Sequence, residues 1–117
     1  MSEQHDRDMS ESEFRALADA LYRRVGQAFD DIDPDEAECE ESQGSLTIQL
    51  TDGARWILSL QPPVRQIWLA VASLGRAFHF DYDRGADTWR DDKGQGIELL
   101  PYLEKLLADV AGVQVRF

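Results

Sequence analysis

The sequence is poor in cysteine, in basic residues and in long apolar runs. Its single cysteine, Cys39, excludes an internal disulfide and any zinc or iron–sulfur site that needs several cysteines of one chain. The longest unbroken apolar run, Ile67 to Ala72, falls far short of the roughly 20 residues of a membrane-spanning helix. Residues 1–8 are polar and acidic, unlike a secretion signal or a transit peptide. We therefore expect a cytoplasmic protein.

Acidic side chains dominate the charge balance. The chain has 23 Asp and Glu against 12 Lys and Arg, a formal net charge of −11, which argues against nucleic acid as a ligand because phosphates are bound by basic faces. Residues 30–41, DDIDPDEAECEE, hold eight of the acids and no base. Such a run is typical of a solvated surface, but it also suits a cation site or a docking surface for a basic partner.

The first predicted element is a long helix. Residues 1–9 lack periodicity and are predicted to be a mobile tail ahead of a single domain, residues 10–117. Ser10 and Glu13 have the spacing of a capping box, which predicts a helix start. Apolar residues then recur at steps of three and four until Pro34 ends the helix. They are Phe14, Leu17, Ala18, Leu21, Tyr22, Val25 and Phe29.

After Pro34 the period changes to two, which is typical of strands. Glu36, Glu38 and Glu40 would share one face of a first strand, with Ala37 and Cys39 on the other. Further strands are predicted at residues 46–50, 55–60, 65–71 and 76–82, and a short sixth at 88–90. Turn signals at residues 52–53, 62–63 and 91–94 separate them.

Helical spacing returns at the end of the chain. The predicted stripe is Ile97, Leu100, Leu103, Leu106, Leu107 and Val110. Pro101 fits if this helix begins near Ile97 or Glu98, and we expect Gly112 to end it. The order helix, five or six strands, helix predicts an α+β two-layer sandwich. The two terminal helices would cover one face of a mainly antiparallel sheet and leave the other face in water.

Several motifs in this order resemble the frataxin family, above all its bacterial members. Residues 66–70, QIWLA, resemble the family's Q-[IV]-W-L-[AS] strand, and residues 78–89, FHFDYDRGADTW, resemble its aromatic strand, turn and following Trp. Phe14 and residues 17–19 resemble its first helix. The resemblance covers residues 10 to 110 approximately, and it implies the frataxin fold.

The resemblance also implies a function. It predicts a regulator of iron–sulfur cluster assembly, not an enzyme, that binds iron weakly through an acidic ridge and docks on the cysteine desulfurase and its scaffold protein. The metal candidates carried over by position are Asp30, Asp31, Asp33, Asp35, Glu36, Glu38 and Glu40. The first three are also expected to contact the partner. Bacterial relatives usually carry acids one turn earlier, where this chain has Gly26 and Gln27, so iron binding is expected at residues 30–40.

The chemistry of the acidic run predicts weak iron binding. Carboxylates suit hard cations such as ferric iron and tolerate ferrous iron. Asp30 and Asp31 would lie about 100° apart on a helix and could not form one tight chelate, so we expect several shallow sites. A calcium loop beginning at Asp31 fails, because Glu36 and Ser42 occupy the positions that need Gly and Glu.

Four residues outside the metal set also carry predictions. Gln66 and Trp68 are expected on the water-exposed sheet face as partner contacts, since Trp is enriched at binding hot spots; packing of Trp68 within the sheet is the alternative. Cys39 is expected to be a small buried hydrophobe and not a persulfide-accepting thiol, because nearby carboxylates raise a thiol pKa. His79 is expected to be a surface residue.

Two other functions compete with the first. An acidic decoy could mimic nucleic acid and block a basic partner, although a mimic should spread its anions along an extended face. A small iron store could assemble when metal binds. Without metal, a monomer is expected.

Overall fold

A computed structural model describes residues 9–117 of the protein, and it confirms the predicted α+β class and the order of elements. Helix α1 spans Glu11–Phe29 and helix α2 spans Leu99–Leu106. The strands are β1 Ala37–Ser42, β2 Ser45–Leu50, β3 Arg55–Gln61, β4 Gln66–Val71, β5 Arg76–Asp83 and β6 Thr88–Asp91. Each strand pairs antiparallel with the next, so the order in the sheet equals the order in the chain.

Helix α1 begins where the capping box predicts. The Oγ atom of Ser10 accepts a hydrogen bond from the Glu13 N–H at 3.0 Å, and acids in the first turn suit the positive end of the helix dipole. The predicted apolar face is buried, except that Leu17 is half-buried. The helix ends at Phe29, well before Pro34, because the Asp30 N–H turns back to the Gln27 carbonyl.

The sheet buries one face against the helices and leaves the other in water. The buried apolar side chains of the sheet are Ala37, Leu46, Ile48, Leu50, Trp56, Leu58, Ile67, Leu69, Val71, Phe78, Phe80, Tyr82 and Trp89. Two-residue periodicity places alternate residues, among them Ile57, Trp68 and His79, on the outward face. Between β1 and β2, Gln43 and Gly44 both have positive φ, as a two-residue type I′ turn requires.

The second helix departs from the predicted stripe at two residues. Leu99, outside that stripe, is fully buried, whereas Val110, inside it, is 46% exposed. A π-helical turn, Leu107–Ala111, follows α2, and its wider winding rotates Val110 away from the core. Gly112 has a φ of 69° and ends the helical segment as predicted.

The residues after Gly112 pack against α1, which the sequence did not predict. Val113 and Val115 are buried, and the ring of Phe117 lies 6.1 Å from that of Phe29. Arg24 Nη2 donates to the Phe117 carbonyl at 3.0 Å. These contacts fix the end of α1, where the acidic run begins.

The folded region begins at least one residue earlier than the predicted boundary. The predicted tail of residues 1–9 includes Met9, yet Met9 is only 3% exposed and its carbonyl accepts a hydrogen bond from Arg65 Nε at 2.9 Å. The rest of that predicted tail, residues 1–8, lies outside the described residues. Within residues 9–117 no helix is both long and apolar enough to cross a membrane.

Candidate functional site

The first candidate site is an acidic ridge that runs from the end of α1 along β1. We define it by eight exposed carboxylates: Asp30, Asp31, Asp33, Asp35, Glu36, Glu38, Glu40 and Glu41. None of them forms an ion pair with a basic group of residues 9–117. The ridge therefore presents to the solvent a dense negative charge that no basic side chain of residues 9–117 neutralises by direct pairing.

Main-chain turns hold the ridge in place. The Ile32 N–H donates to the Phe29 carbonyl at 3.0 Å, and the Ile32 side chain packs against the core. Asp33 organises the next turn, because its Oδ1 accepts from the Asp35 N–H at 2.9 Å and its carbonyl accepts from the Ala37 N–H at 3.2 Å. The carboxylates thus project from an ordered backbone.

The position of the ridge opposes stability. The last turn of α1 contains no basic residue, so Asp30 and Asp31 lie at the negative end of the helix dipole without a compensating charge. Their mutual repulsion adds to that cost. Arrangements that break a local rule of stability are expected at functional sites, which makes the ridge a candidate binding surface.

The donor set of the ridge fits only open, weak metal contacts. No group of three or more His, Cys, Asp or Glu side chains in residues 9–117 is arranged to hold a metal ion. Cys39, between Glu38 and Glu40, is half-buried, and burial, then Glu41, then Asp30 raise the pKa of its thiol to about 11. A protonated thiol is a poor metal ligand and a poor nucleophile. Exposed carboxylates, singly or in pairs, are the metal-ligand groups that the ridge offers.

The second candidate site lies on the outward face of the sheet. We call it the Trp68 face and define it by Gln66, Trp68, His79, Asp81 and Asp92. Trp68 is half-buried and lies opposite His79 in the β4–β5 register. The two rings stack with their centroids 4.2 Å apart and their planes 16° from parallel. One side of the indole is therefore covered by the chain itself.

Gln66 is buried beneath this stack, although the sequence predicts it beside Trp68 as a contact for a partner. Its side chain is only 4% exposed. Its Oε1 accepts from Trp68 Nε1 at 2.8 Å, and its Nε2 donates to Asp81 Oδ1 and Asp92 Oδ2, each at 3.1 Å. These three internal partners explain why Gln66 is drawn inward, and they make it a residue that orients Trp68.

Part of the ridge opens toward the same side of the molecule as the Trp68 face. Alternation along β1 places Glu38 and Glu40 on the outward face that also carries Trp68. Strands β2 and β3 separate β1 from β4, a distance of about 14 Å at the usual strand spacing. One protein partner is large enough to cover both surfaces.

His79 and Asp92 are members of this site that sequence reasoning missed. The alternation of Phe78, His79 and Phe80 places His79 on the outward face, but its pairing with Trp68 depends on strand register. Asp92 follows β6, and its Oδ2 lies 3.6 Å from His79 Nδ1. No periodic pattern in the sequence marks Asp92.

The chain is similar in sequence and in structure to proteins of one family. A family model described as the frataxin-like domain matches residues 7–113. The iron-sulfur cluster assembly protein CyaY of Pseudomonas aeruginosa is 46% identical over 93% of this chain and 97% of its own length. The protein of that name from Azotobacter vinelandii is 37% identical over 93% and 96%. Among solved structures, the frataxin from Psychromonas ingrahamii matches with a TM-score of 0.81 at 29% identity, covering 92% of this chain and 97% of that one.

Proposed function

The chain belongs to the frataxin-like family, and on this premise we propose that it regulates iron–sulfur cluster assembly by docking on a cysteine desulfurase and its scaffold protein. Relatives that cover almost all of its length are named iron-sulfur cluster assembly proteins. In this proposal the protein works in the bacterial cytoplasm, binds iron and catalyses no step itself. It acts through the partners whose rate it changes.

The observation that carries the proposal is the acidic ridge. Eight exposed carboxylates have no ion-pair partner in the part of the chain that the structure describes. A dense surface charge attracts a complementary basic face, speeds encounter and disfavours acidic partners. Because most of this attraction crosses solvent, added salt should weaken it.

The Trp68 face supports a second contact, with the scaffold protein. An aromatic ring that is already held in place loses little conformational freedom on binding, and such rings dominate many interfaces. Trp68 meets this condition because it is stacked on His79 and hydrogen-bonded to Gln66.

Iron enters the proposal as a ligand that changes the charge of the ridge. Ferrous or ferric iron on exposed carboxylates such as Asp30, Asp31 and Glu38 would cancel part of their negative charge. Docking on a basic face should therefore weaken as iron binds.

The test measures binding to a purified cysteine desulfurase at about 50 mM and about 300 mM salt. The variant Asp30/Asp31/Asp33→Lys reverses three ridge charges and should bind at least tenfold more weakly at low salt. The matched control is Glu11/Asp19/Asp109→Lys, which makes the same change in net charge at exposed acids outside the ridge. It should keep most of the affinity.

Two results would contradict the proposal. Equal losses in both triple variants would show that net charge, not the ridge, governs binding. A wild-type protein that binds neither desulfurase nor scaffold has no docking role, and competition with DNA for a basic protein would then test the decoy alternative. A Trp68→Ala variant that folds and binds the scaffold protein fully would remove the second contact.

A further inference from the structure

One edge of the sheet is open, and it is the edge that carries the ridge. At the opposite edge, Arg90 of β6 bridges to Glu98, and the Asp91 N–H donates to the Ile97 carbonyl at 2.9 Å. The segment that precedes α2 therefore covers β6. Within the described residues β1 pairs with β2 alone, so its other side has no strand beside it.

The alternation of hydrogen bonds identifies the backbone groups of β1 that point outward from this edge. The Leu50 N–H donates to the Ala54 carbonyl. Because backbone groups point alternately to the two sides of a strand, residues 46, 48 and 50 of β2 form hydrogen bonds with β3, and residues 45, 47 and 49 form them with β1. In β1, the residues paired with 45, 47 and 49 are 42, 40 and 38, so these three use their backbone groups within the sheet. The N–H and C=O groups of Cys39 and Glu41 therefore point away from the sheet. The Ala37 N–H is already bonded to the Asp33 carbonyl.

We propose that this open edge binds an extended, basic segment of a partner protein as a seventh strand. The backbones of Cys39 and Glu41 supply the ladder hydrogen bonds, and the ridge carboxylates pair with Lys or Arg at alternate positions of the added strand. Strand addition of this kind derives affinity from the main chain and specificity from side chains. The inference deepens the proposed function, on which it rests, by naming how the ridge is bound.

Charge determines which strand the edge accepts. Pairing with a second copy of this chain would bring Glu38, Glu40 and Glu41 of both copies together, and like charges on adjacent strands destabilise their pairing. Acids also flank both faces of the edge: Glu38 and Glu40 lie on the outward side, while Asp30 and Glu41 are close enough to Cys39 to raise its thiol pKa. A basic segment gains favourable pairs on either face.

Two reagents separate strand addition from simple charge attraction. The first is a synthetic peptide of alternating Arg and Thr, compared with the same peptide N-methylated at alternate amides, which keeps the charge and removes the ladder donors. The second is the variant Cys39→Pro, which deletes one outward N–H, keeps the ridge charge and spares the β1–β2 ladder. Cys39→Ala is its matched control, since Ala retains the N–H.

Strand addition predicts a specific set of results. The unmodified peptide should bind the wild type and Cys39→Ala equally, and Cys39→Pro about fivefold to tenfold more weakly, which corresponds to one hydrogen bond. The N-methylated peptide should bind weakly to all three proteins. Amide exchange at Cys39 and Glu41 should slow when the unmodified peptide binds to the wild type.

The proposal is overturned if both peptides bind equally well and the Cys39 and Glu41 amides exchange at unchanged rates. Both measurements use the wild-type protein, so they test strand addition even if Cys39→Pro fails to fold. The desulfurase assay separates this inference from the proposed function. If folded Cys39→Pro binds desulfurase as tightly as the wild type, the strand-addition inference is wrong but the proposed docking on desulfurase is retained. If the peptide binds to β1 but desulfurase does not bind the protein, the proposed partner is wrong but the binding site at the β1 edge is retained.

Discussion

The acidic ridge and the Trp68 face are built in opposite ways, although Glu38 and Glu40 of the ridge share the outward sheet face with Trp68. The ridge carboxylates have no ion-pair partner in residues 9–117, whereas the Trp68 face is internally bonded through Gln66. Charges act over several ångströms and add together, while a stacked, hydrogen-bonded ring acts through its shape. Single substitutions should therefore be mild in the ridge, whereas loss of Gln66, which holds the Trp68 face together, should be severe.

The largest expected effect lies beneath the ridge, at Cys39. Burial and the nearby carboxylates raise the pKa of its thiol from 9.0 to about 11, so alkylation by iodoacetamide at pH 8 should be about 100-fold slower than in the unfolded chain. Mass spectrometry in buffer and in denaturant measures both rates. Equal rates would show that burial and the nearby carboxylates do not raise the pKa of this thiol in the folded chain.

The same pKa shift has a consequence for stability at alkaline pH. The unfolded chain loses the thiol proton near pH 9.0 and the folded chain near pH 11, so deprotonation favours the unfolded state within this window. The stabilisation is complete below pH 9.0 and is lost as the pH rises to about 11. The free energy of unfolding should fall more steeply there for the wild type than for Cys39→Ala.

Replacing Gln66, which is hydrogen-bonded to three other residues of the Trp68 face, should have the next largest effect, a loss of stability. Gln66→Leu leaves Trp68 Nε1, Asp81 and Asp92 without a shared partner and should lower the free energy of unfolding by about 2 kcal/mol. Urea denaturation measures the change. Gln61→Leu is the matched control, because Gln61 lies opposite Gln66 in the β3–β4 pair and makes only a long contact with Ser59. Equal costs would remove the special role of Gln66.

Charge reversal in the ridge should change stability in the other direction. Asp30/Asp31→Lys relieves repulsion and complements the negative end of the α1 dipole, so the free energy of unfolding should rise by about 1 kcal/mol at low salt. Glu11→Lys, at the positive end of the same helix, should lower it. Denaturation at low and high salt tests both, because each difference should shrink with screening. If Asp30/Asp31→Lys lowers the free energy of unfolding instead, the ridge carboxylates do not destabilise the wild-type protein.

The smallest expected effect is the loss of the ring stacked on Trp68. His79→Ala removes a half-exposed stacking partner and should cost about 0.5 kcal/mol, while His79→Phe should restore most of it. Near-ultraviolet circular dichroism reports the indole environment directly. An unchanged spectrum in His79→Ala would show that Gln66 alone orients Trp68.

Local patterns predicted most of the fold because each acts within a few residues. The capping box fixed the start of α1, and two-residue alternation located all six strands within one or two residues of their ends. The packing of Met9, Val113 and Val115 depends on distant partners, and the outward turn of Val110 depends on the π-helical turn. These features have no local signal.

The candidate sites also combine features that have a local sequence signal with features that depend on distant contacts. A charge count locates the ridge, since carboxylate density is a property of the sequence itself. The lack of ion pairs between the ridge and the basic side chains of residues 9–117 depends on where Arg23, Arg24 and Arg55 point in the folded chain. Alternation correctly places Trp68 on the outward face. It places Gln66 there too, but it does not predict that Trp68, Asp81 and Asp92 enclose the Gln66 side chain.

The strict strand order of the sheet has a consequence for how the chain folds. Every strand pairs with its neighbour in sequence across a short turn, so closing each pair costs little chain entropy, and we expect the sheet to form early. Helix α1 can dock only after β6 has joined the sheet, because Phe14 of α1 packs on Trp89 of β6, with the ring centroids 6.0 Å apart. The ridge spans α1 and β1, so it is completed only in that last step. A partner that recognises the whole ridge would therefore select fully folded molecules over late folding intermediates.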